Sequence, residues 1–360
     1  MPDLYQQFPP FYRELLPDIM LKSVPKEGKA NCSNCSMVQK DPSLGSAQKH
    51  LFRPDTKCCT FHPQLPNYLV GGLLQDSRPE MAEGRRRMQE RIEARSGVTP
   101  WWIGPSRLDQ HLYEHARSSF GKATRLRCPY YATDSGHCTI WAWREAVCST
   151  WYCKYEAGKD GLTFYVGLKN YIGVVEKQLS RYAMMTIDPE FIFDDQAAAF
   201  YKQEGLTQDQ LDEQPPEHEL YKKLWRQFEG REASFYQQCY EIITALTSQD
   251  VERLMGLDGT IRNLEVQRQH EKAQTKDLPD RLVFNPQVTV RWLESGEVAL
   301  SAYSEYDALA LPGAVYPLLV AFDGRQSTSA TRQKLRQEHE ADLADEVLMM
   351  LYRYRILDQV

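Results

Sequence analysis

Residues 128–153 read CPYYATDSGHCTIWAWREAVCSTWYC, four cysteines within 26 residues. The stretch shows neither the 3.6-residue period of a helix nor the alternation of a strand. It therefore predicts irregular chain that needs something other than regular secondary structure to close it. Outward from it, residues 1–80 have the same character, rich in Pro, Gly, Ser and Cys. Eight of the nine cysteines fall before residue 154: Cys32, Cys35, Cys58, Cys59, Cys128, Cys138, Cys148 and Cys153. The ninth, Cys239, sits in the helical run SFYQQCYEII and reads as a packed core thiol, since free Cys behaves as a small hydrophobe. The N-terminus lacks a charged segment followed by an apolar one, and no apolar run approaches the roughly 18 residues of a membrane span. A cytoplasmic protein without membrane contact is the expectation, and in a reducing compartment grouped cysteines indicate metal or redox chemistry.

Cys32-Ser-Asn-Cys35 is a C-x-x-C pair, whose two thiolates can converge on one ion across a tight turn. Cys58 and Cys59 are adjacent and point in different directions, so either one ligates while the other packs, or they serve two metals. Cys128, Cys138, Cys148 and Cys153 alone could make a tetrahedral thiolate set. Thiolates suit zinc or an iron–sulfur cluster and not magnesium or calcium, and spacing does not choose between the first two. All eight are candidate metal ligands.

Cys128-Pro129-Tyr130-Tyr131, then Gly136-His137-Cys138-Thr139-Ile140-Trp141, Arg144 and Cys148, preceded by a C-x-x-C and a Cys-Cys pair, resembles the YkgJ-type cysteine-cluster family. That resemblance implies zinc or iron chelation, and the family includes flagellin lysine N-methylases. The chain departs from the family pattern in the first block, where 22 residues separate Cys35 from Cys58 and the family has two. Ala146 and Ser149 also replace the Pro-side and Arg positions that follow Arg144 in the family.

Arg144, between cysteines, is a candidate catalytic residue that could counter thiolate charge or hold a substrate carboxylate; packing of its stem on Trp141 or Trp143 is the alternative. His62, close after the Cys pair in the Pro- and Gly-marked run 61–72, is a second candidate, as a donor behind the ligands or as an alternative ligand. His111-Leu-Tyr-Glu114-His115 matches H-x-x-E-H, in which the two histidines would share a helix face as zinc ligands and Glu114 would act as base; Glu176 is the guess for the downstream ligand. A polar helix face is the competing reading. There is no phosphate-binding glycine loop, no dinucleotide fingerprint and no C-x-x-x-C-x-x-C, so a nucleotide enzyme of the common types is not expected.

The formal charge is −6, divided as +5 over residues 1–160, −8 over 161–280 and −3 over 281–360. The acidic balance argues against nucleic acid as partner. The basic part is the Cys-rich one; its run Arg85-Arg86-Arg87 lies on a predicted charged helix over 80–95 and could be no more than a solvated face. Further helices are expected from Ser106 to Ser118 with Ser106 as cap, over 162–185 on the spacing Leu168, Ile172, Val175, Leu179, Tyr182, and near 196–204, 217–228, 231–247 and 249–256, with Thr207 and Ser248 as caps. The polar stretch 267–280 reads as a linker. Beyond it, residues 282–304 alternate like a β-hairpin turning at Glu294–Glu297, followed by three short helical segments and a turn at Asp323-Gly324. This last part resembles the PqqD-like winged-helix modules, in which a peptide adds a strand beside the wing.

The expected architecture is α+β and mainly helical: a loop-rich Cys-cluster metal domain over 1–160, a helical region over 161–278 and a small winged-helix-like module over 279–360. The expected function is a cytosolic metalloprotein that holds an iron–sulfur cluster or zinc and modifies a protein or peptide substrate. A non-catalytic, zinc-stapled interaction protein is the alternative, and an H-x-x-E-H zinc hydrolase the third reading.

Overall fold

The computed structural model describes residues 3–27, 32–33, 35–38, 51–191, 205–275 and 277–360. The helix expected near 196–204 lies outside them. Among the described residues helices dominate and the sheets are small and antiparallel, which is the mainly helical α+β class read from the sequence. They form two compact units, neither continuous in sequence. The first draws on Met1–Val24, Cys32–Trp151 and Leu168–Leu264, and the second on Pro25–Asn31, Tyr152–Gly167 and Glu265–Val360.

In the first unit, α1 (Tyr12–Leu15) and α2 (Pro17–Met20) precede α3 (Asn67–Gln75), α4 (Ala82–Glu93), α5 (Arg107–His115) and α6 (Ala146–Thr150). Most of α7 (Gly158–Ile187) follows, then α8 (Gln208–Leu211), α9 (His218–Trp225), α10 (Glu232–Thr244) and the start of α11 (Ser248–Gln274). Two-residue strands pair β1 (Leu65–Pro66) with β2 (Trp102–Ile103) and β3 (Tyr131–Ala132) with β4 (His137–Cys138). The expected stripe on α7 is real: Leu168, Ile172, Val175 and Leu179 are fully buried. Ser106 caps α5 by accepting from the Asp109 amide, and Thr207 caps α8 in a reciprocal pair with Gln210.

One segment corrects the sequence reading. Residues 61–72 read as a rigid loop, yet Asn67–Gln75 is a buried helix. Its Gly71-Gly72 pair is a packing device. A Cβ on Gly71 would fall 1.9 Å from the Tyr236 carbonyl oxygen of α10, and one on Gly72 would fall 2.1 Å from the Trp143 ring. Only glycine permits so close a helix–helix approach. Asn67, fully buried, donates to the carbonyls of Pro100 and Ser180 at 3.0 Å each, so no polar atom of its amide group is buried at a cost.

The second unit contains the end of α11, which the sequence had suggested was linker. The helix breaks at Gly256 (φ +57°, ψ −154°), where the sequence had ended it, and a second helical run continues through the polar stretch to Gln274 because Val266, His270 and Ala273 make a thin buried stripe. Helix α11 also begins one residue earlier than expected: Thr247, not Ser248, exchanges hydrogen bonds with Asp250. A three-stranded antiparallel sheet follows, ordered β6 (Thr289–Trp292), β7 (Glu297–Ser301), β8 (Leu309–Pro312), with Gly296 at φ +81° in the expected turn. Then come α12 (Tyr316–Val320), α13 (Thr328–His339) and α14 (Asp345–Arg353). Strand β5 (Leu282–Phe284) leaves this sheet and pairs with β9 (Leu357–Gln359). The core is apolar, built from Leu282, Val298, Leu300, Leu319, Phe322, Leu348, Leu351 and Ile356, each at most 1% exposed.

Candidate functional site: a cluster of thiols

The cysteine loops of the first unit are tied together by side chains bonding to main-chain groups. Buried Thr56 and Thr60 grip one residue from both sides, Thr56 Oγ1 donating to the Gly121 carbonyl and Thr60 Oγ1 accepting from the Gly121 amide, both at 2.8 Å. This fixes the turn that carries Cys58 and Cys59. The Cys59 carbonyl then accepts from the Cys128 amide at 2.8 Å. Next, the Tyr130 carbonyl accepts from both the amide and the hydroxyl of Thr139 at 2.9 Å, and β3–β4 sets Tyr131 opposite Cys138. Chain distant in sequence is thus returned to one place with few regular hydrogen-bond ladders.

Three cations hold this framework. Arg87 on α4 donates to the Pro129 and Tyr131 carbonyls at 2.7 and 3.0 Å, which makes one member of the Arg85–Arg87 run a clamp on the Cys128 loop. Lys57 Nζ donates to the carbonyls of Cys32 and Gly136 at 2.7 Å each, joining the first C-x-x-C loop to the tip of the β3–β4 hairpin. Arg144 lies over the Trp141 ring, 3.5 Å from its centroid, and donates to the carbonyls of Trp141 and Cys148. The guanidinium stacks on Trp141, as the packing alternative has it, and its charge acts on the thiols of Cys32, Cys58 and Cys138. Glu145, 4% exposed, accepts from the Val147 and Cys148 amides at the start of α6.

Seven thiols share one electrostatic neighbourhood. Burial raises the Cys32 thiol, helped by Cys58 and opposed by Arg144 and Lys57. Burial likewise raises Cys35, with Cys58 adding to it. The hydrogen bond with Cys59 and burial push Cys58 well up. At Cys59 the same bond lowers the thiol, but burial and the thiols of Cys128, Cys138 and Cys148 outweigh it. Burial and Cys138 push Cys128 up to about 12. Cys138 is raised by burial, relieved by Arg144, and Cys148 by burial, Glu145, Cys128 and Cys138. Crowded, buried thiols of this kind stay protonated unless a cation reverses the balance. Among the described residues, no three His, Cys, Asp or Glu side chains stand in an arrangement that could hold a metal ion. Cys153 belongs to the second unit, and Cys239 is a buried core thiol on α10, as expected.

His62 is directed elsewhere. Its Nε2 faces the carbonyls of Arg127 and Leu126 at 3.0 and 3.2 Å and so carries the proton, while Nδ1 lies 3.6 Å from Asp109 Oδ2. Burial lowers its pKa. Its place is the base of the Cys128 loop. His111 and His115 do share a face of α5, their rings stacked at 4.1 Å, but both are exposed and His115 Nδ1 bonds back to the His111 carbonyl at 2.8 Å. Glu176 is instead buried, accepting from Tyr12 Oη at 3.4 Å, its pKa raised by burial and by Glu145. A cavity of about 780 Å³, lined by Trp101, Phe191, Leu224 and the cations of Lys222, Lys223 and Arg226, shares no residue with the thiol cluster.

Sequence reasoning missed Lys57, Arg87 and Glu145. Glu145 stands three residues before Cys148, a cap position, but Glu is not among the favoured cap residues. Comparison with protein-family models, with curated proteins and with solved structures finds no match.

Proposed function

We propose that the first unit is a thiolate metal centre, an iron–sulfur or zinc protein, acting on a protein or peptide that the second unit binds. The observation that carries the reading is the gathering of seven cysteines from three separate stretches of chain around two cations, Lys57 and Arg144. The donor chemistry, all sulfur, suits a soft metal, although the described side chains are not arranged to hold one as they stand. Bound iron–sulfur would supply one-electron chemistry, whereas zinc alone would supply a fixed tetrahedral staple. Lys57 and Arg144 offset the negative charge that such a centre concentrates, and Trp143, Tyr130 and Tyr131, all buried, keep water from the surrounding loops. In the second unit, β6 and β8 are the edges of the three-stranded sheet. An edge offers unpaired main-chain groups to which an extended peptide can add as a strand, as the winged-helix-like pattern implies.

Full-length protein purified without oxygen tests the reading. Brown protein with stoichiometric iron and sulfide is expected. Colourless protein holding only zinc would replace the redox reading with the zinc-stapled interaction protein. Protein that holds neither metal would overturn both.

A further inference from the structure

We propose that the cavity beside α9 binds an amphipathic anion. The apolar body of that molecule rests on Trp101, Phe191 and Leu224, and its carboxylate or phosphate head meets Lys222, Lys223 and Arg226. All six residues belong to the first unit and none to the thiol cluster, so the inference stands apart from the metal reading.

The floor of the cavity is apolar and firmly placed. The Trp101 carbonyl accepts from the Asn67 main-chain amide at 2.9 Å and from Ser180 Oγ at 2.6 Å, which fixes that loop on α3 and α7. Phe191, just beyond α7, stacks on Phe228 at 6.0 Å and meets Phe235 edge-on at 5.7 Å. Leu224 is buried on α9. A cavity of about 780 Å³ over such a floor has the size and lining of a small-molecule site.

The rim carries the charge. Residues 161–280 total −8, yet Lys222, Lys223 and Arg226 set three cations within five residues at the cavity edge. Two carboxylates, Glu190 and Glu219, border it as well, so positive charge is in excess by one. Among the described residues the Lys222 and Lys223 side chains have no bonded partner. Arg226 reaches Glu190 and Asp188 only at 3.5 and 3.8 Å, whereas a guanidinium firmly bonded to a carboxylate lies at about 2.8 Å.

The backbone of Arg226 is an independent observation. It adopts φ +55°, ψ −124°, close to the conformation of Gly256 and outside the left-handed region that other side chains enter at low cost. Arginine held where glycine would be unstrained is the kind of outlier that clusters at ligand clamps. Here it sets the guanidinium at the cavity edge, 5.8 Å from the centre of the Phe191 ring. Cations in the last turn of a helix suit its dipole. The dipole explains neither the strain at Arg226 nor the apolar cavity beside it.

Equilibrium dialysis of the full-length protein tests the site, with naphthoate, naphthyl phosphate, neutral naphthamide, acetate and inorganic phosphate as probes. Naphthoate or naphthyl phosphate should bind, the preferred head telling a carboxylate ligand from a phosphate one. Naphthamide should bind at least about tenfold more weakly, and acetate and inorganic phosphate should not compete. Lys222→Gln with Lys223→Gln should weaken the bound anion about tenfold and leave naphthamide unchanged. Arg226→Gly should weaken it by a similar factor, with a thermal unfolding midpoint at or above that of wild type because the strain is gone. Lys334→Gln, at an exposed lysine of the second unit, should change nothing. No binding of either naphthyl anion would overturn the site, as would equal affinity for naphthoate and naphthamide or indifference to the paired lysine changes. Competition by inorganic phosphate as strong as by naphthyl phosphate would refute the apolar floor, and intact binding in Arg226→Gly would refute the clamp.

Discussion

The cysteine loops of the first unit and the sheet-and-helix part of the second are held by opposite means. The second buries a contiguous apolar core behind three short strands and three helices. The first has strands of two residues, and its loops are fixed by Thr56, Thr60, Lys57, Arg87 and Arg144 reaching main-chain groups. Apolar burial is non-directional and tolerates exchange of similar volumes. A side chain bonded to a carbonyl is directional, and its loss leaves an acceptor exposed to desolvation cost. The difference is one between a part stabilised by area and a part stabilised by specific links, to which a metal would add the strongest.

The largest effect expected is metal removal. Structural thiolate metals contribute on the order of 10 kcal/mol. Chelation should therefore abolish hydrogen-exchange protection over 128–148 and leave 282–357 unchanged. Equal loss in both would show that the two parts are not stabilised independently. Next, Leu351→Ala removes a fully buried side chain of the second unit and should cost about 3 kcal/mol in urea unfolding. A cost under about 1 kcal/mol would show a core able to collapse around the gap. Arg87→Met should cost about 2 kcal/mol through the Pro129 and Tyr131 carbonyls, whereas Arg86→Met, whose partners are exposed glutamates, should stay within about 0.5 kcal/mol. Equal effects would reduce the clamp to an ordinary surface charge.

The smallest effect is a pH dependence. Asp76 is lowered to about 2 by its hydrogen bonds from Arg78 and, next, from Trp143 Nε1 at 2.8 Å. Because the folded pKa lies below the unfolded one, this stability is present above about pH 4 and fades as pH falls toward 2. Asp76→Asn should lose about 1 kcal/mol at pH 7 and flatten the urea midpoint between pH 4 and 2. A parallel midpoint curve for wild type and variant would assign the acid sensitivity elsewhere.

Much of the helical part was legible because its signals are local. The α7 stripe, the Ser106 and Thr207 caps and the Gly296 turn each depend on residues within a few positions of one another. Asn67–Gln75 was not legible, because the prolines before it and its Gly pair mean a loop locally, and only the backbone of α10 gives the glycines their use. Gln267–Gln274 looked like linker because two buried positions, His270 and Ala273, are too few to stand out among polar ones.

The sequence by itself determined that the chain is helix-rich and that eight of its nine cysteines fall within its first 153 residues, a residue type whose thiolate suits soft metals over hard ones. Only the tertiary structure decided which cysteines are neighbours. It drew Cys59 to Cys128, set Lys57 between two loops and placed Cys153 in the other unit. Proximity across 69 residues of chain, from Cys59 to Cys128, is a property of main-chain hydrogen bonds and packing, which spacing along the sequence does not encode.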